Sequence, residues 1–412
     1  MRFSDHRSYG RDNLRNRWRI PQRRGMTVRV ETPWPPLFGK ETGSALHFDG
    51  SCLARVQTRT RAFLFLGARE IRKAETTLTA SIVTSNMGLF DNFGRQITDL
   101  RISVTDRCNF RCVYCRSADP ENHVAGHELL RWDEFERLAR ILVGMGIRKV
   151  RVTGGEPLVR EGVEDFIARL KEIGVADLSM TTNGHLLAER CERLVAAGLD
   201  RINISLDSLD PARFEQVTRT KSFGKVMAGI DAAQASRLRP VKVNAVLVRG
   251  LNDGEVEAFA EFARDRDLIM RFIEYMPLDA DRNWSRDLVV TAAEVKRRIE
   301  ARSPLVPIAH EPSETARKYK FADGRGEIGL VAPVSQPFCG HCSRIRLTAD
   351  GKLRTCLFSK DDHDLKYLLR GGSSDDEIAG AIRDVVAEKE EGHRINEPDF
   401  RPPSRTMVFI GG

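Results

Sequence analysis

No apolar run in this 412-residue sequence approaches the roughly 20 residues that a helix needs to cross a bilayer. The most apolar stretch near the N-terminus, AFLFLGA at 62–68, is far too short. A disulfide framework is not expected either, because the chain is long and shows no secretory signal. The sequence therefore predicts no membrane partner and reduced cysteines.

An excess of positive charge is also missing from most of the chain, although the net charge is +8. Residues 1–86 carry 16 Lys and Arg against 7 Asp and Glu, whereas residues 87–412 carry 50 against 51. The basic excess is thus confined to the first 86 residues. The neutral remainder offers no broad basic surface, so we expect no nucleic-acid partner.

Residues 1–86 form a basic leader with three interpretations. It is Arg-rich and acid-poor, as organellar transit peptides are. It could instead be a disordered basic arm, or it could lie outside the native protein, because MGLFDNFGRQITDLRISV from Met87 reads as a natural start. We favour the third interpretation. We expect a cytoplasmic protein, or a mitochondrial matrix protein if the leader is a transit peptide.

From residue 99 onward, β-branched and apolar runs alternate with stretches of helical period. The alternation predicts parallel strands joined by right-handed helical crossovers, with functional loops at the carboxyl ends of the strands. Six such units indicate an α/β fold, a partial (βα)6 TIM-like barrel over residues 87–288. The six predicted strands lie within 99–106, 149–156, 177–184, 201–208, 241–248 and 268–276.

Residues 289–412 break this alternation and form a C-terminal extension. RIRLTADGKLRTCLF at 344–358 predicts a hairpin about an Asp-Gly turn. SSDDEIAGAIRDVVAEKEEG at 373–392 predicts a helix with a serine cap and an acidic first turn. We expect this region to pack on the barrel.

Three cysteines lie close together in TDRCNFRCVYCRS, at Cys108, Cys112 and Cys115. Structural zinc takes four protein ligands, and iron–sulfur clusters usually take four cysteines. A C-x3-C-x2-C trio can hold three irons of a four-iron cluster and leave the fourth iron open for a small molecule. The alternative is zinc completed by a distant ligand, either Cys191 or a histidine.

A second trio lies in the C-terminal extension, at Cys339, Cys342 and Cys356. The spacing fits a second [4Fe–4S] cluster with an open iron. It fits equally well a zinc ribbon completed by His341 or Cys191.

Cations interrupt the otherwise apolar strands of the predicted barrel. Lys149 and Arg151 are two residues apart and point to the same side of the sheet. A buried charge costs several kcal/mol unless it is paired. Either internal ion pairs with Glu156, Asp207 and Glu274 or a polyanionic ligand can supply the partners. The set as a whole favours a phosphate chain; its members are Arg101, Lys149, Arg151, Lys242 and Arg271.

CNFRCVYC, directly after the first strand, resembles the signature of the radical S-adenosylmethionine (SAM) superfamily. TGGEP at 153–157, SLDS at 205–208 and EYM at 274–276 resemble further elements of that family at other strand ends. The resemblance implies that SAM chelates the open iron of the first trio. The implied SAM-contacting residues are Tyr114, Gly155, Glu156, Ser205 and Met276.

From about Phe93 to the terminal MVFIGG, the chain more narrowly resembles the family of GTP 3′,8-cyclases of molybdenum cofactor biosynthesis. The resemblance implies two [4Fe–4S] clusters, the second binding the guanine of GTP through its open iron. It implies catalytic roles for Arg344, Arg346, Gly411 and Gly412. The residues implied to surround GTP are Arg101, Lys149, Arg151, Thr181, Lys242, Arg271, Arg344 and Arg346.

The activity implied is radical cyclisation, in which a 5′-deoxyadenosyl radical removes the 3′ hydrogen of GTP and C3′ closes onto C8. Implied partners are an electron donor such as flavodoxin or ferredoxin and the next enzyme, cyclic pyranopterin monophosphate synthase. A homodimer is compatible with this reading. The rivals are a radical SAM peptide-maturing enzyme and a zinc or nucleic-acid-binding protein.

Overall fold

The β-branched runs from residue 99 onward form six parallel strands in a computed structural model that describes residues 88–119 and 123–411. Neighbouring strands pair in chain order from β1 to β6. Each predicted run contains one strand, so this part of the expectation is confirmed. The strands are β1 (Asp99–Ser103), β2 (Lys149–Thr153), β3 (Asp177–Thr182), β4 (Arg201–Ser205), β5 (Lys242–Leu247) and β6 (Ile269–Glu274).

Helices connect these strands and cover one face of the sheet. Their apolar faces pack on the strands through fully buried side chains such as Phe135, Phe166 and Phe259. The segment between β4 and β5 holds two helices where the sequence analysis predicted one. The helices are α1 (Trp132–Gly144), α2 (Val163–Glu172), α3 (Leu187–Ala196), α4 (Pro211–Thr218), α5 (Phe223–Ala235) and α6 (Val256–Arg266).

The C-terminal extension adds strands to both edges of the same sheet. One of its strands runs parallel to β6 and another runs parallel to β1, so both edges of the six-stranded row are covered. The resulting order is β12-β11-β10-β1-β2-β3-β4-β5-β6-β9-β8-β7. The added strands are β7 (Leu305–Pro307), β8 (Arg317–Phe321), β9 (Glu327–Val331), β10 (Arg344–Leu347), β11 (Lys352–Arg354) and β12 (His363–Asp364).

The predicted hairpin and the predicted capped helix are both present in the extension. Strands β10 and β11 pair antiparallel about the Asp350-Gly351 turn. The Ser374 hydroxyl accepts from the Glu377 N–H, and the Glu377 carboxylate accepts from the Ser374 N–H, which completes a capping box. The extension's helices are α7 (Ala292–Glu300), α8 (Leu365–Arg370), α9 (Asp375–Ala387) and α10 (Met407–Ile410).

One apolar core runs beneath the sheet from Leu89 to Val386 and therefore includes both predicted regions. A smaller cluster, which includes Leu278, Phe358 and Ile410, joins the C-terminal tail to the loop after β6. Across the ranges covered, no helix combines the length and apolarity that a membrane crossing would need. The predicted leader, residues 1–86, lies outside the described residues.

Candidate active site

The loop after β1 carries the first cysteine trio at the carboxyl edge of the sheet. Cys108, Cys112 and Cys115 are all partly exposed, and none of them forms a disulfide with another described residue. The Phe110 N–H approaches the Cys108 Sγ at 3.4 Å, and the Asn183 Nδ2 approaches it at 3.8 Å. Donors aimed at sulfur suit a cluster ligand, because hydrogen bonds to the sulfurs stabilise the electron-rich thiolate.

The second trio stands across the barrel mouth on the C-terminal extension. Cys339 begins a single 3₁₀ turn that ends just before Cys342, and Cys356 follows β11. The buried Arg95 guanidinium holds this region in place: it donates to the Cys339 carbonyl at 2.9 Å and pairs with Asp91. Burial alone would raise the pKa of the Cys342 thiol, but the charges of Arg344, Lys389 and Arg95 outweigh it and lower that pKa.

Both trios face one cavity with an empty volume of about 1790 Å³, including its open mouth. Ligands bound at the two trios would therefore lie in the same cavity. Of the predicted site residues, those lining it are Arg101, Cys108, Cys112, Tyr114, Cys115, Arg151, Gly155, Thr181, Ser205, Arg271, Met276, Cys339, Cys342, Arg344, Arg346 and Cys356.

The fourth zinc ligands considered from the sequence do not join either trio. Cys191 is buried on α3 with its Sγ 3.6 Å from the Ala232 carbonyl oxygen, and His341 is exposed. Within residues 88–119 and 123–411, no three His, Cys, Asp or Glu side chains gather closely enough to hold a single metal ion. In a four-iron cluster each cysteine binds its own iron, so three thiols around an open space fit that group.

Tyr114 and Asp207 form a buried pair at the first trio. The Tyr114 hydroxyl donates to the Asp207 carboxylate at 2.7 Å, and the Val246 N–H donates to its other oxygen at 2.9 Å. Burial raises the pKa of Asp207 to about 6 despite these bonds. The pair fixes the Tyr114 ring against the cavity beside Ser205 and Met276.

The glycines of TGGEP make a close backbone contact with the first cysteine loop. The Gly155 N–H donates to the Thr105 carbonyl at 2.6 Å, and a Cβ on Gly155 would lie 2.3 Å from the Arg107 carbonyl oxygen. The glycines therefore let two loops of the protein meet, in addition to any approach of a ligand. Glu156 does not line the cavity; its carboxylate accepts from the Thr182 hydroxyl and the Asn183 N–H.

Four interior cations, Arg101, Arg151, Lys242 and Arg271, have no ion-pair partner among the residues that the structure describes. No carboxylate oxygen in the described ranges lies within 4 Å of their charged nitrogens, although Asp99, Glu314 and Glu327 act on some of them from farther away. The Arg271 Nε is buried without a hydrogen-bond partner among those residues. The interior therefore presents positive charge to the cavity.

Mutual repulsion and burial are visible in the pKa values of these four cations. Burial and then neighbouring guanidinium groups lower the pKa of Lys242 to about 7 and that of Arg151 to about 9. Burial, followed by the charges of Arg346 and Arg151, holds the pKa of Arg101 well below its usual range. Burial lowers the pKa of Arg271 too. A bound polyanion would relieve this repulsion.

The internal ion pairs considered from the sequence do not form. Glu156 and Asp207 are engaged as described above, and the Glu274 carboxylate accepts from the backbone N–H groups of Ala292 and Val334 at 2.9 Å. These carboxylates organise loops and do not neutralise the interior cations. That alternative was wrong.

A second cavity adjoins the first near the amino ends of the strands. Its empty volume is about 690 Å³, and it shares Arg101, Arg151 and Arg271 with the larger cavity. Lys149 and Lys242, which do not line the larger cavity, line this one. All the predicted cationic contacts therefore lie around one continuous region.

The C-terminal tail reaches the barrel interior. The Arg346 guanidinium donates to the Gly411 carbonyl, and burial lowers the pKa of Arg346 to about 10. Gly411 has φ +84°, and a Cβ there would lie 2.9 Å from the Thr153 Cγ2. Gly412 lies outside the described residues, so its predicted role stays a prediction.

Several cavity residues were missed by sequence reasoning. Asn183, Asn244 and His393 all line the larger cavity. Asn183 lies in the third predicted run, directly after β3, and Asn244 interrupts the apolar pattern of the fifth, so polarity at those positions was an available signal. His393 lies 51 residues beyond Cys342 in sequence, and no local pattern brings it to the site.

The parallel barrel with a three-cysteine loop defines the class, a radical SAM enzyme. The Radical SAM superfamily model matches residues 102–263, and the Molybdenum Cofactor Synthesis C model matches residues 268–395. GTP 3′,8-cyclase of Rhodopirellula baltica is 43% identical over 363 residues, 87% of this chain and 100% of that protein. That of Mycolicibacterium smegmatis is 45% identical over 81% of this chain and 94% of its own. The chain belongs to the GTP 3′,8-cyclase family.

Solved structures support the fold alone. SuiB of Streptococcus suis, in its complex with S-adenosylmethionine, has a TM-score of 0.50 and 14% identity, covering 83% of this chain and 82% of its own. SuiB bound to the precursor peptide SuiA has a TM-score of 0.51 at the same identity. At this identity the peptide substrate of SuiB says nothing about the substrate of this chain.

Proposed function

We propose that this chain converts GTP to (8S)-3′,8-cyclo-7,8-dihydroguanosine 5′-triphosphate, the first step of molybdenum cofactor biosynthesis. The observation that carries the proposal is the meeting of two cysteine trios and a set of unpaired cations around one interior region. A substrate with a triphosphate at one end and a metal-binding base at the other matches both features.

In this proposal, Cys108, Cys112 and Cys115 hold one [4Fe–4S] cluster, and Cys339, Cys342 and Cys356 hold the other. SAM held at the first trio would supply, on accepting one electron and releasing methionine, the 5′-deoxyadenosyl radical chemistry that takes the 3′ hydrogen of GTP. Closure of C3′ onto C8 would then need a second electron and a proton to give the 7,8-dihydro product. The chain itself supplies position and exclusion of water.

The interior cations orient the substrate from its phosphate end. Arg101, Arg151 and Arg271 line both cavities, so they can hold the triphosphate where the larger cavity narrows into the smaller one. Binding energy gained at the phosphates then fixes the ribose, which converts an encounter into a positioned reaction. Arg344, whose guanidinium donates to the Ser313 carbonyl at 2.6 Å, stands between the phosphate region and the second trio.

We further propose that a small redox protein such as flavodoxin or ferredoxin reduces the first cluster, and that cyclic pyranopterin monophosphate synthase receives the product. Both follow from the chemistry of the proposed step, which needs a single-electron donor and yields a reactive intermediate. A homodimer and a cytoplasmic location remain expectations from the sequence.

The test is anaerobic reconstitution followed by incubation with GTP, SAM and a low-potential reductant. We expect about eight irons per chain for two four-iron clusters, together with formation of 5′-deoxyadenosine and a cyclised nucleotide. GTP deuterated at C3′ should transfer deuterium to 5′-deoxyadenosine. A chain that holds zinc and no iron, or one that forms neither product, would reject the proposal.

A further inference from the structure

Asn244 on β5 has a side-chain oxygen that makes no hydrogen bond to the residues that the structure describes. This Oδ1 is buried, and the residue lines the larger cavity. Buried polar atoms are normally paired, so an unused one that faces a cavity marks a ligand contact. Asn203 on the neighbouring strand differs: its Nδ2 donates to the Met180 carbonyl at 3.0 Å.

The position of Asn244 along β5 separates two functional zones. Lys242, two residues earlier on the same face, lines the smaller cationic cavity, and Val246, two residues later, donates its N–H to Asp207 at the first trio. Along β5, Asn244 therefore lies between a residue of the smaller cationic cavity and a residue that contacts Asp207 beside the first trio.

The pairing with the two neighbouring strands also places Asn244 between these two zones. Its Cα partner on β4 is Ser205, and its Cα partner on β6 is Arg271. Ser205 is a predicted SAM contact and Arg271 a predicted phosphate contact. The ribose is the group of a nucleotide that adjoins its phosphates, so it is the group of GTP that we place beside Asn244.

The chemistry of the lining makes the assignment more specific. Arginine and lysine side chains donate hydrogen bonds and cannot accept them. They can donate hydrogen bonds to phosphate oxygens, but they cannot accept the hydrogen bond that a sugar hydroxyl donates. The buried Oδ1 of Asn244 supplies an acceptor for such a hydroxyl, and the Thr181 Oγ1, which is also buried on this cavity without a partner among the described residues, is a second one.

We propose that Asn244 accepts a hydrogen bond from a ribose hydroxyl of GTP and so selects ribonucleotides and holds the sugar against SAM. This inference rests on the proposed function. It assigns a positioning and specificity role to a residue outside the predicted site.

The test measures equilibrium binding to the reconstituted holoprotein with SAM present and reductant omitted. GTP is compared with 2′-deoxyGTP and 3′-deoxyGTP, which carry the same triphosphate. We expect one analogue to bind wild type roughly 10-fold or more weakly, because it leaves a buried acceptor unpaired. In Asn244→Ala, the affinity for GTP should fall to that for the analogue. The ratio of the Kd for the analogue to the Kd for GTP should then be about 2 or less.

Two further variants separate the hydrogen bond from general damage. Asn244→Asp keeps the acceptor but adds a negative charge, so it should weaken the binding of all three nucleotides and preserve the ratio of the Kd values. Asn203→Ser should lower the melting temperature, because it removes the bond to Met180, and should also preserve the ratio.

The outcomes distinguish this inference from the proposed function. Wild type that binds neither GTP nor its analogues would reject the proposed function itself. Wild type that binds all three equally, or Asn244→Ala that keeps the full ratio, would overturn the role of Asn244. An Asn244→Ala variant that loses SAM affinity with unchanged GTP binding would reassign the residue to SAM and overturn the inference.

Discussion

Binding of GTP should become weaker as the pH rises above 7, and Lys242 is the reason. Burial and the charges of Arg271, Arg201 and Arg151 lower the pKa of Lys242 to about 7 in the ligand-free protein. A bound triphosphate supplies the missing counter-charge and returns the ammonium group to its ordinary state. Because the complex needs a protonated Lys242, binding above pH 7 takes up a proton.

The size of the effect follows from this one group. With a free pKa of about 7, linkage makes the apparent Kd scale as roughly 1 + 10^(pH − 7), about 2-fold above its limit at pH 7 and about 11-fold at pH 8. The γ-phosphate has a pKa near 6, so below about pH 6.5 its own protonation intervenes. The clean window is pH 7 to 8.5, because the pKa of Arg151 is about 9.

The assay is equilibrium binding of GTP to the holoprotein across that window, with proton uptake read by calorimetry in buffers of different ionisation enthalpy. Lys242→Arg keeps the charge over the whole range, so its Kd should be flat. Lys242→Met should bind more weakly at pH 7 and also be flat. A wild-type Kd that does not change between pH 7 and 8.5 would refute the reasoning, as would the same slope in Lys242→Met.

Three other changes test separate parts of the site. Cys356→Ala should reduce the iron content from about eight to about four per chain, and GTP affinity should fall while SAM stays bound at the first trio. Arg344→Ala should raise the KM for GTP or abolish turnover with unchanged iron content; loss of iron would show a structural role instead. Gly411→Ala should displace the tail, because its Cβ would lie 2.9 Å from Thr153, and reduce cyclisation at least 10-fold relative to Gly372→Ala, an equally left-handed glycine with nothing within 4 Å. Equal activity of the two glycine variants would contradict a role for the tail.

Strands β1 to β6 could be predicted because each is a short β-branched run followed by polar residues. Prediction from local sequence patterns failed where the element was short. Asp210 caps helix α4, because its carboxylate accepts a hydrogen bond from the Arg213 N–H at 2.7 Å, and Pro211 is the first residue of the helix. That start signal is present in the sequence, but eight residues give too little periodicity to identify a helix.

Partners of strands could not be predicted, because pairing depends on residues far apart in sequence. Nothing local in β10 indicates that it pairs parallel with β1, which aligns Arg346 with Arg101. The partners of charged side chains could not be predicted for the same reason. The sequence shows that Glu156 and Glu274 are near the cationic strands, but only the three-dimensional arrangement shows that backbone N–H groups already occupy these carboxylates.

The C-terminal extension does not act as an independent attachment to the barrel, because it completes the lining of the cavity in which we propose that the substrate binds. Strand β10 supplies Arg344 and Arg346 to the cationic interior, and the turn just before it supplies two cysteines of the second trio. A substrate held by phosphates and base would therefore be fixed at both ends by one short segment that pairs with β1. Since β1 leads directly into the first cysteine loop, the distance between the two cysteine trios is set through a single pair of strands. Changes in that pairing should therefore alter the coupling of SAM cleavage to cyclisation before they alter either cluster.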